Sequence, residues 1–129
     1  MKNLMDYIIQ ETMSVRDVIR RMSESEIEIC ICVNDKNKVI GVFTEGDFRR
    51  AIFEEMQLDD DVRTLLNDKF MYLTKNFSEN DVEKIFNEKI IQNIPVLDNG
   101  CLIDIVSKDE YYKAKEPKNE RTLNNPVII

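Results

Sequence analysis

Apolar positions along the chain change period in the same order twice. Val15, Val18, Ile19 and Met22 recur at the spacing of one helix face, and so do Val82, Ile85 and Phe86. Ser14 and Ser78 each stand three residues before an aspartate, a capping-box-like helix start with Asp in place of the usual Glu or Gln. An apolar strand follows, Ile27 to Val33 in one copy and Ile94 to Leu97 in the other. Next come polar turns, Asp35-Lys36-Asn37 and Asp98-Asn99-Gly100, the latter a hairpin signal. A second strand runs to Thr44 or Ser107, and a further helix is expected from near Asp47 or Glu110. Short strands around Glu11-Thr12 and Met71 to Thr74 are expected to open each unit, giving β-α-β-β-α twice.

The two copies keep register. Ser14 to Val18 aligns with Ser78 to Val82 at an offset of 64, and Cys30 to Val33 falls on Ile94 to Leu97. From Lys38 to Thr44 the match is Cys101 to Ser107 at an offset of 63, so one residue is lost in the turn. Each unit alone is too small to bury much surface. The expected fold is therefore α/β (α+β), with two tandem repeats packed sheet against sheet about a pseudo-twofold axis. The divisions are repeat 1 at residues 1–68, repeat 2 at 69–114, a polar linker at 115–125, and at 126–129 the start of a following domain. Phe48 to Met56 is read as the last helix of the first unit and Val62 to Leu66 as one more helical turn. Asp59 to Asp61 reads as a solvated loop and cap.

Composition narrows the chemistry. With 43% hydrophobic and 33% charged residues, the 129-residue chain can pack a core. The N-terminus is too polar for a secretory signal and no apolar run reaches membrane length, so a cytoplasmic location is expected. A net charge of −7 disfavours nucleic acid and anionic membrane as partners, and makes any phosphate-bearing ligand depend on local positive groups. Cys30, Cys32 and Cys101 are read as small hydrophobes, because a strand sends Cys30 and Cys32 to opposite faces and no histidine completes a zinc site. There is no histidine for general base work, no nucleophile elbow and no phosphate loop, so no catalytic residue, metal or required cofactor is assigned.

The sharpest local feature is Thr44-Glu45-Gly46-Asp47-Phe48-Arg49-Arg50. A strand ends, a glycine relaxes the turn, and a helix start gathers backbone N–H groups suited to an anion. Thr44 offers a hydroxyl, Asp47 accepts hydrogen bonds from a ribose diol, and Arg49 and Arg50 bring positive charge. The same Thr-x-x-Asp spacing equally describes a plain capping box. Ser107-Lys108-Asp109-Glu110 is a weaker version, and Asp104, in place of Gly41, is expected to set a carboxylate near any phosphate.

Residues 5–113 resemble two copies of the CBS domain, carried by Val39-Ile40-Gly41-Val42-Phe43-Thr44-Glu45-Gly46-Asp47 and by Asn93-Ile94-Pro95-Val96-Leu97. The resemblance implies a compact pair with two clefts that bind AMP, ADP, ATP or a related adenosyl ligand and regulate an attached protein. It assigns Thr44 and Asp47 to phosphate and ribose, with Gly46 and Arg49 beside them. Ile29 and Cys30 are expected to line the base pocket and Thr12 to complete the cleft. Asn93, Ile94, Pro95, Ser107, Glu110 and Thr74 are the counterparts of a weaker second cleft. Ile31 stands where the family has proline, and Ser107 and Glu110 replace Thr and Asp. Self-association as a homodimer is a further implication.

Thr-Glu-Gly-Asp-Phe-Arg-Arg-Ala also resembles a variant found in CBS pairs attached to sugar-phosphate enzymes. The polar stretch before Pro126-Val127-Ile128-Ile129 is read as leading into a C-terminal sugar-1-phosphate nucleotidyltransferase domain. The alternatives are the pair of a sugar-phosphate isomerase, and a dimerisation module that binds no ligand.

Overall fold

The structure is a computed structural model that describes residues 3–116. Its elements are β1 (Ile8–Gln10), α1 (Val15–Ser25), β2 (Ile29–Val33), β3 (Val39–Thr44), α2 (Glu45–Phe53), β4 (Leu73–Thr74), α3 (Glu79–Glu88), β5 (Asn93–Asp98), β6 (Cys101–Ser107) and α4 (Lys108–Lys115). Short 3₁₀ turns at Leu4–Asp6 and Val62–Leu65 precede β1 and β4. Each repeat is one three-stranded sheet, ordered β1-β2-β3 and β4-β5-β6, with a parallel first pair and an antiparallel second pair. The expected mixed α/β fold and tandem organisation are thus present.

The helices start where the capping residues put them. Ser14 accepts from the Asp17 N–H, and Ser78 and Asp81 close a reciprocal capping box. The lost residue is also where the pattern places it. Asp98 pairs with Cys101 across a two-residue loop whose Asn99 and Gly100 have φ 51° and 82°, as a primed hairpin turn requires. In the first repeat Asn34 to Lys38 makes a longer turn, with Asn34 Oδ1 accepting from the Lys36 and Lys38 N–H groups.

One strand lies elsewhere than expected. β1 occupies Ile8–Gln10, and Glu11-Thr12 is the turn after it. Ile9 pairs with Cys32 as Leu73 pairs with Val96, so the counterpart of Thr74 is Gln10, and Thr12 is out of register. β4 is shorter than β1 for a covalent reason. Ile31 donates its N–H to the Tyr7 carbonyl at 2.7 Å, whereas Pro95 at the matching place has no N–H to give. Residues 71 and 72 therefore leave the ladder, and both side chains are exposed. Lys115 belongs to α4 and not to the linker; the rest of the expected linker beyond Glu116, and the Pro126–Ile129 run, lie outside the described residues.

Three apolar clusters hold the molecule. Cys30, Cys32, Phe43, Val18 and Val62 form the core under α1. Val82, Phe86, Ile94 and Val96 form its counterpart under α3, with Tyr111 and Tyr112 packed on it. Ile29, Ile31, Val42 and Ile105 form the third, where the two sheets face each other, with Leu4, Tyr7 and Phe70 at its margin. Strand alternation explains the split: in β2, Ile29 and Ile31 face the other repeat while Cys30 and Cys32 face the helix. Residues 58–67 strap the first repeat. Val15 and Arg16 donate to the Asp60 and Leu58 carbonyls, and Val42 and Asn67 exchange both backbone bonds at 3.0 and 2.9 Å. A Cβ on Gly41 would stand 3.0 Å from Leu66 Cβ and 3.1 Å from the Asn67 oxygen, so any side chain there makes the strap give way by a few tenths of an ångström.

Candidate functional site

The site is built on the strand-to-helix junctions that end β3 and β6. At the first, Thr44 is the N-cap of α2 and no turn residue intervenes before Glu45. Gly46 therefore does not relax a turn: it is the second helical residue, and a Cβ there would meet Thr44 Oγ1 only at 3.6 Å. The Thr44 hydroxyl accepts from the Asp47 N–H at 3.2 Å. Asp47 Oδ2 accepts from the Thr44 N–H at 2.9 Å and from its hydroxyl at 3.0 Å. Arg50 pairs with Asp47 Oδ1, its own side chain 70% exposed while that of Asp47 is 10% exposed.

The capping box is thus real, and it does not exhaust the junction. An i, i+3 pair with an exposed arginine is worth about 0–1 kcal/mol, so Arg50 can swing off and release Oδ1 at small cost. Oδ2 stays fixed by two donors. The carboxylate is consequently a preoriented acceptor with one oxygen on offer. The Glu45 N–H has no backbone acceptor among the described residues, and Arg49 is exposed with no hydrogen-bond or ion-pair partner among them. An unsatisfied helix N–H, a carboxylate oxygen and a guanidinium without a partner among the described residues thus lie at the start of one helix, a donor and acceptor set suited to a phosphorylated sugar.

The second junction differs. Ser107 caps α4 by accepting from the Glu110 N–H at 3.4 Å, one way only. The Lys108 N–H, counterpart of Glu45, is consumed by the Gln92 carbonyl at 2.8 Å. Here lies a small open cleft of about 170 Å³. The first repeat contributes Tyr7, Glu26 and Glu28 to it; the second contributes Asn93, Ser107, Asp109 and Glu110. No lysine or arginine lines it, and its field is negative: burial first, then Glu110, pushes the Tyr7 hydroxyl above its usual pKa.

Several expected positions are core. Cys30 and Ile94 are fully buried, Ile29 is 4% exposed and faces the other sheet, and Pro95 is buried, so none offers its side chain to an open cleft. Burial pushes the Cys30 thiol up to about 12 and that of Cys32 to about 11, which leaves both protonated and unreactive. Asn93 does line the second cleft. Thr12 is exposed in the turn after β1, and Thr74 is exposed at the end of β4. Asp104 does not line the Ser107 cleft: it sits mid-strand opposite Val96, exposed, with Oδ1 accepting from the Ile105 N–H. Sequence reasoning missed Tyr7, Glu26 and Glu28, which reach the second cleft from the first repeat. The available signal was the alternation Glu26-Ile27-Glu28-Ile29, whose carboxylates point away from a buried face. No cluster of His, Cys, Asp or Glu among the described residues has metal-binding geometry, and no described helix is long and apolar enough to cross a membrane.

Comparison with known proteins places these features. Residues 2–54 match the model of the CBS domain family. An uncharacterized protein of Helicobacter pylori is 36% identical over 56 residues, covering 43% of this chain and 17% of that protein. An arabinose 5-phosphate isomerase of Escherichia coli is 28% identical over 104 residues, 80% of this chain and 32% of the isomerase. An A-adding tRNA nucleotidyltransferase of Aquifex aeolicus is 22% identical over 121 residues, 92% of this chain and 14% of the enzyme. The chain thus spans only a minor part of each of these relatives. Among solved structures, a CBS-domain containing protein from Agrobacterium tumefaciens superposes with TM-score 0.75 at 20% identity, covering 84% of this chain and 88% of that one. A CBS domain protein from Pyrobaculum aerophilum, in complex with AMP, gives TM-score 0.72 at 16% identity, covering 91% and 88%.

Proposed function

For a chain that carries a CBS domain at residues 2–54 and folds as CBS-domain proteins do, we propose the role of a regulatory module that binds an adenine nucleotide beside the first strand-to-helix junction. The observation that carries this reading is the arrangement at Thr44 and Asp47. One carboxylate oxygen is locked and the other is held only by an exposed arginine, next to a helix N–H without a partner. The first amide of α2 and Arg49 take the phosphate beside Thr44, and Asp47 Oδ1 takes a ribose hydroxyl. AMP in a neighbour of the same fold supports the ligand class. Regulation follows if the bound state favours one packing of the two sheets over another.

The finer part of the proposal concerns attachment. We assign the module to a sugar-1-phosphate nucleotidyltransferase, a reading supported by the resemblance of residues 44–51 to CBS pairs of sugar-phosphate enzymes and by the nucleotidyltransferase relative. The isomerase relative favours the rival attachment, and the reading frame beyond Ile129 decides between them. Self-association of two such modules belongs to the same proposal.

Thermal denaturation with millimolar AMP tests the core of the reading, because a ligand confined to the native state raises stability by mass action. The expected result is a rise of several degrees that shrinks in Asp47→Ala by about tenfold in apparent Kd, ~1.4 kcal/mol. Each protein is compared with its own ligand-free Tm, since Asp47→Ala also removes a cap worth about 1 kcal/mol. An unchanged ligand shift in that variant refutes the site.

A further inference from the structure

The relation that aligns the repeats also carries the Ser107 cleft onto the Thr44 junction. It takes Tyr7 to Met71, Glu26 to Ile90 and Glu28 to Gln92, and it takes Asp109 back to Gly46 and Glu110 to Asp47. Four carboxylates therefore stand around the Ser107 cleft where the Thr44 side has two at the matching places, Asp47 and, opposite Gln92, Glu28 itself. The Thr44 side is marked by the opposite chemistry. Ile90 is 102% exposed and Met71 39% exposed, apolar side chains that no core cluster absorbs. The backbone departs in the same sense, because Gln92 consumes the Lys108 N–H while the Glu45 N–H has no such acceptor.

We infer that the chain takes up one phosphorylated ligand and not two: Glu26, Glu28 and Asp109 bar phosphate from the Ser107 cleft, while the Thr44 side, flanked by Met71 and Ile90, stays open to it. The inference rests on the reading of the Thr44 junction as a nucleotide site. A phosphate carries ≈ −1.5 to −2 charges at neutral pH. Set a few ångströms from a carboxylate in a solvent-filled cleft, it loses about fivefold in affinity to each. Three such groups amount to about a hundredfold, of which the two without an acidic counterpart on the Thr44 side, Glu26 and Asp109, set about 25-fold between the two junctions. Two of the three come from the first repeat, so the first unit would close the second unit's cleft and leave its own open.

Calorimetric titration of the 129-residue chain with AMP tests this. Wild type is expected to bind one equivalent. The triple variant Glu26→Asn, Glu28→Gln, Asp109→Asn is expected to bind two, the second about a hundredfold more tightly than wild type allows. Asparagine at position 26 tolerates the left-handed backbone there, φ 54°. Glu28→Gln alone, with no backbone demand, should tighten the second site about fivefold. Two equivalents in wild type, or a triple variant that stays at one, overturns the inference. So does a single wild-type site that Ser107→Ala abolishes and Asp47→Asn leaves intact. Binding by the triple variant but not by wild type would support the exclusion and refute the Thr44 site. Silence from both refutes both.

Discussion

Two helices, α2 and α4, begin at the same place in two copies of one sheet, both with two acidic residues in the first turn, and they are capped differently. Thr44 and Asp47 close a reciprocal box and leave a backbone donor spare; Ser107 and Glu110 close half a box, and the donor is spent on Gln92. The fold around them is nearly the same, including a register shift at matching places, Cys32/Val33 and Val96/Leu97. Duplication thus preserved the scaffold while the junctions diverged. The scaffold tolerates this because the junctions are half-exposed and the strands behind them are buried.

The contrast between repeats can be broken at graded cost. The largest effect is expected in the cores. Phe43 is fully buried, while its counterpart Val106 is only partly so. Phe43→Ala should cost about 3–5 kcal/mol in denaturant unfolding and Val106→Ala about 1–2. Equal losses would mean that the cores are equivalent after all. Gly41→Asp, which writes the second repeat's residue into the first, should cost about 2–3 kcal/mol by driving Cβ into Leu66 and Asn67. The reverse change, Asp104→Gly, should stay within about 1 kcal/mol.

The buried thiols lie in one repeat only, since Ile94 and Val96 replace Cys30 and Cys32. A folded-state pKa raised from 9.0 to about 12 for Cys30 means that the native state holds the proton more tightly than the unfolded chain. That contribution is complete below pH 9 and is lost as pH rises toward 12, at up to about 1.4 kcal/mol per unit. Cys30→Val with Cys32→Val should flatten the alkaline limb of the stability profile, as followed by the denaturant midpoint. The smallest expected effect separates the caps: Ser78→Ala should cost about 1 kcal/mol and Ser107→Ala, with its longer one-way bond, about 0.5.

Much of this architecture was legible in the sequence because it is local. Ser14 and Ser78 announce helices by satisfying orphan amides a turn away, and Asn99-Gly100 announces a hairpin by its backbone freedom. The shift from 64 to 63 located the shortened turn. The first strand was misplaced because Ile8 and Ile9 lack alternation and Glu11-Thr12 does not form a strand at all; that error carried Thr12 into the expected site. Cys30 and Ile94 were expected beside a ligand, yet in a strand covered on both faces every side chain is taken up by packing. What the repeat could not disclose is what crosses between its copies. Glu26 and Glu28 serve a cleft of the other unit, and the reason for Gly41 lies with Leu66, in a strap that pattern reading treats as a connection.

That strap has a bearing on how the protein can be divided. The family match ends at residue 54, near the end of α2. The edge of the first sheet, however, is closed only at Asn67, and the start of α1 leans on the Leu58 and Asp60 carbonyls. A gene cut at the inherited boundary would release a unit with a raw β3 edge and Gly41 uncovered, a template for pairing with other chains. The segment that can be copied and the segment that can fold are therefore of different lengths. Anyone grafting the first unit onto another protein must carry the following thirteen residues with it.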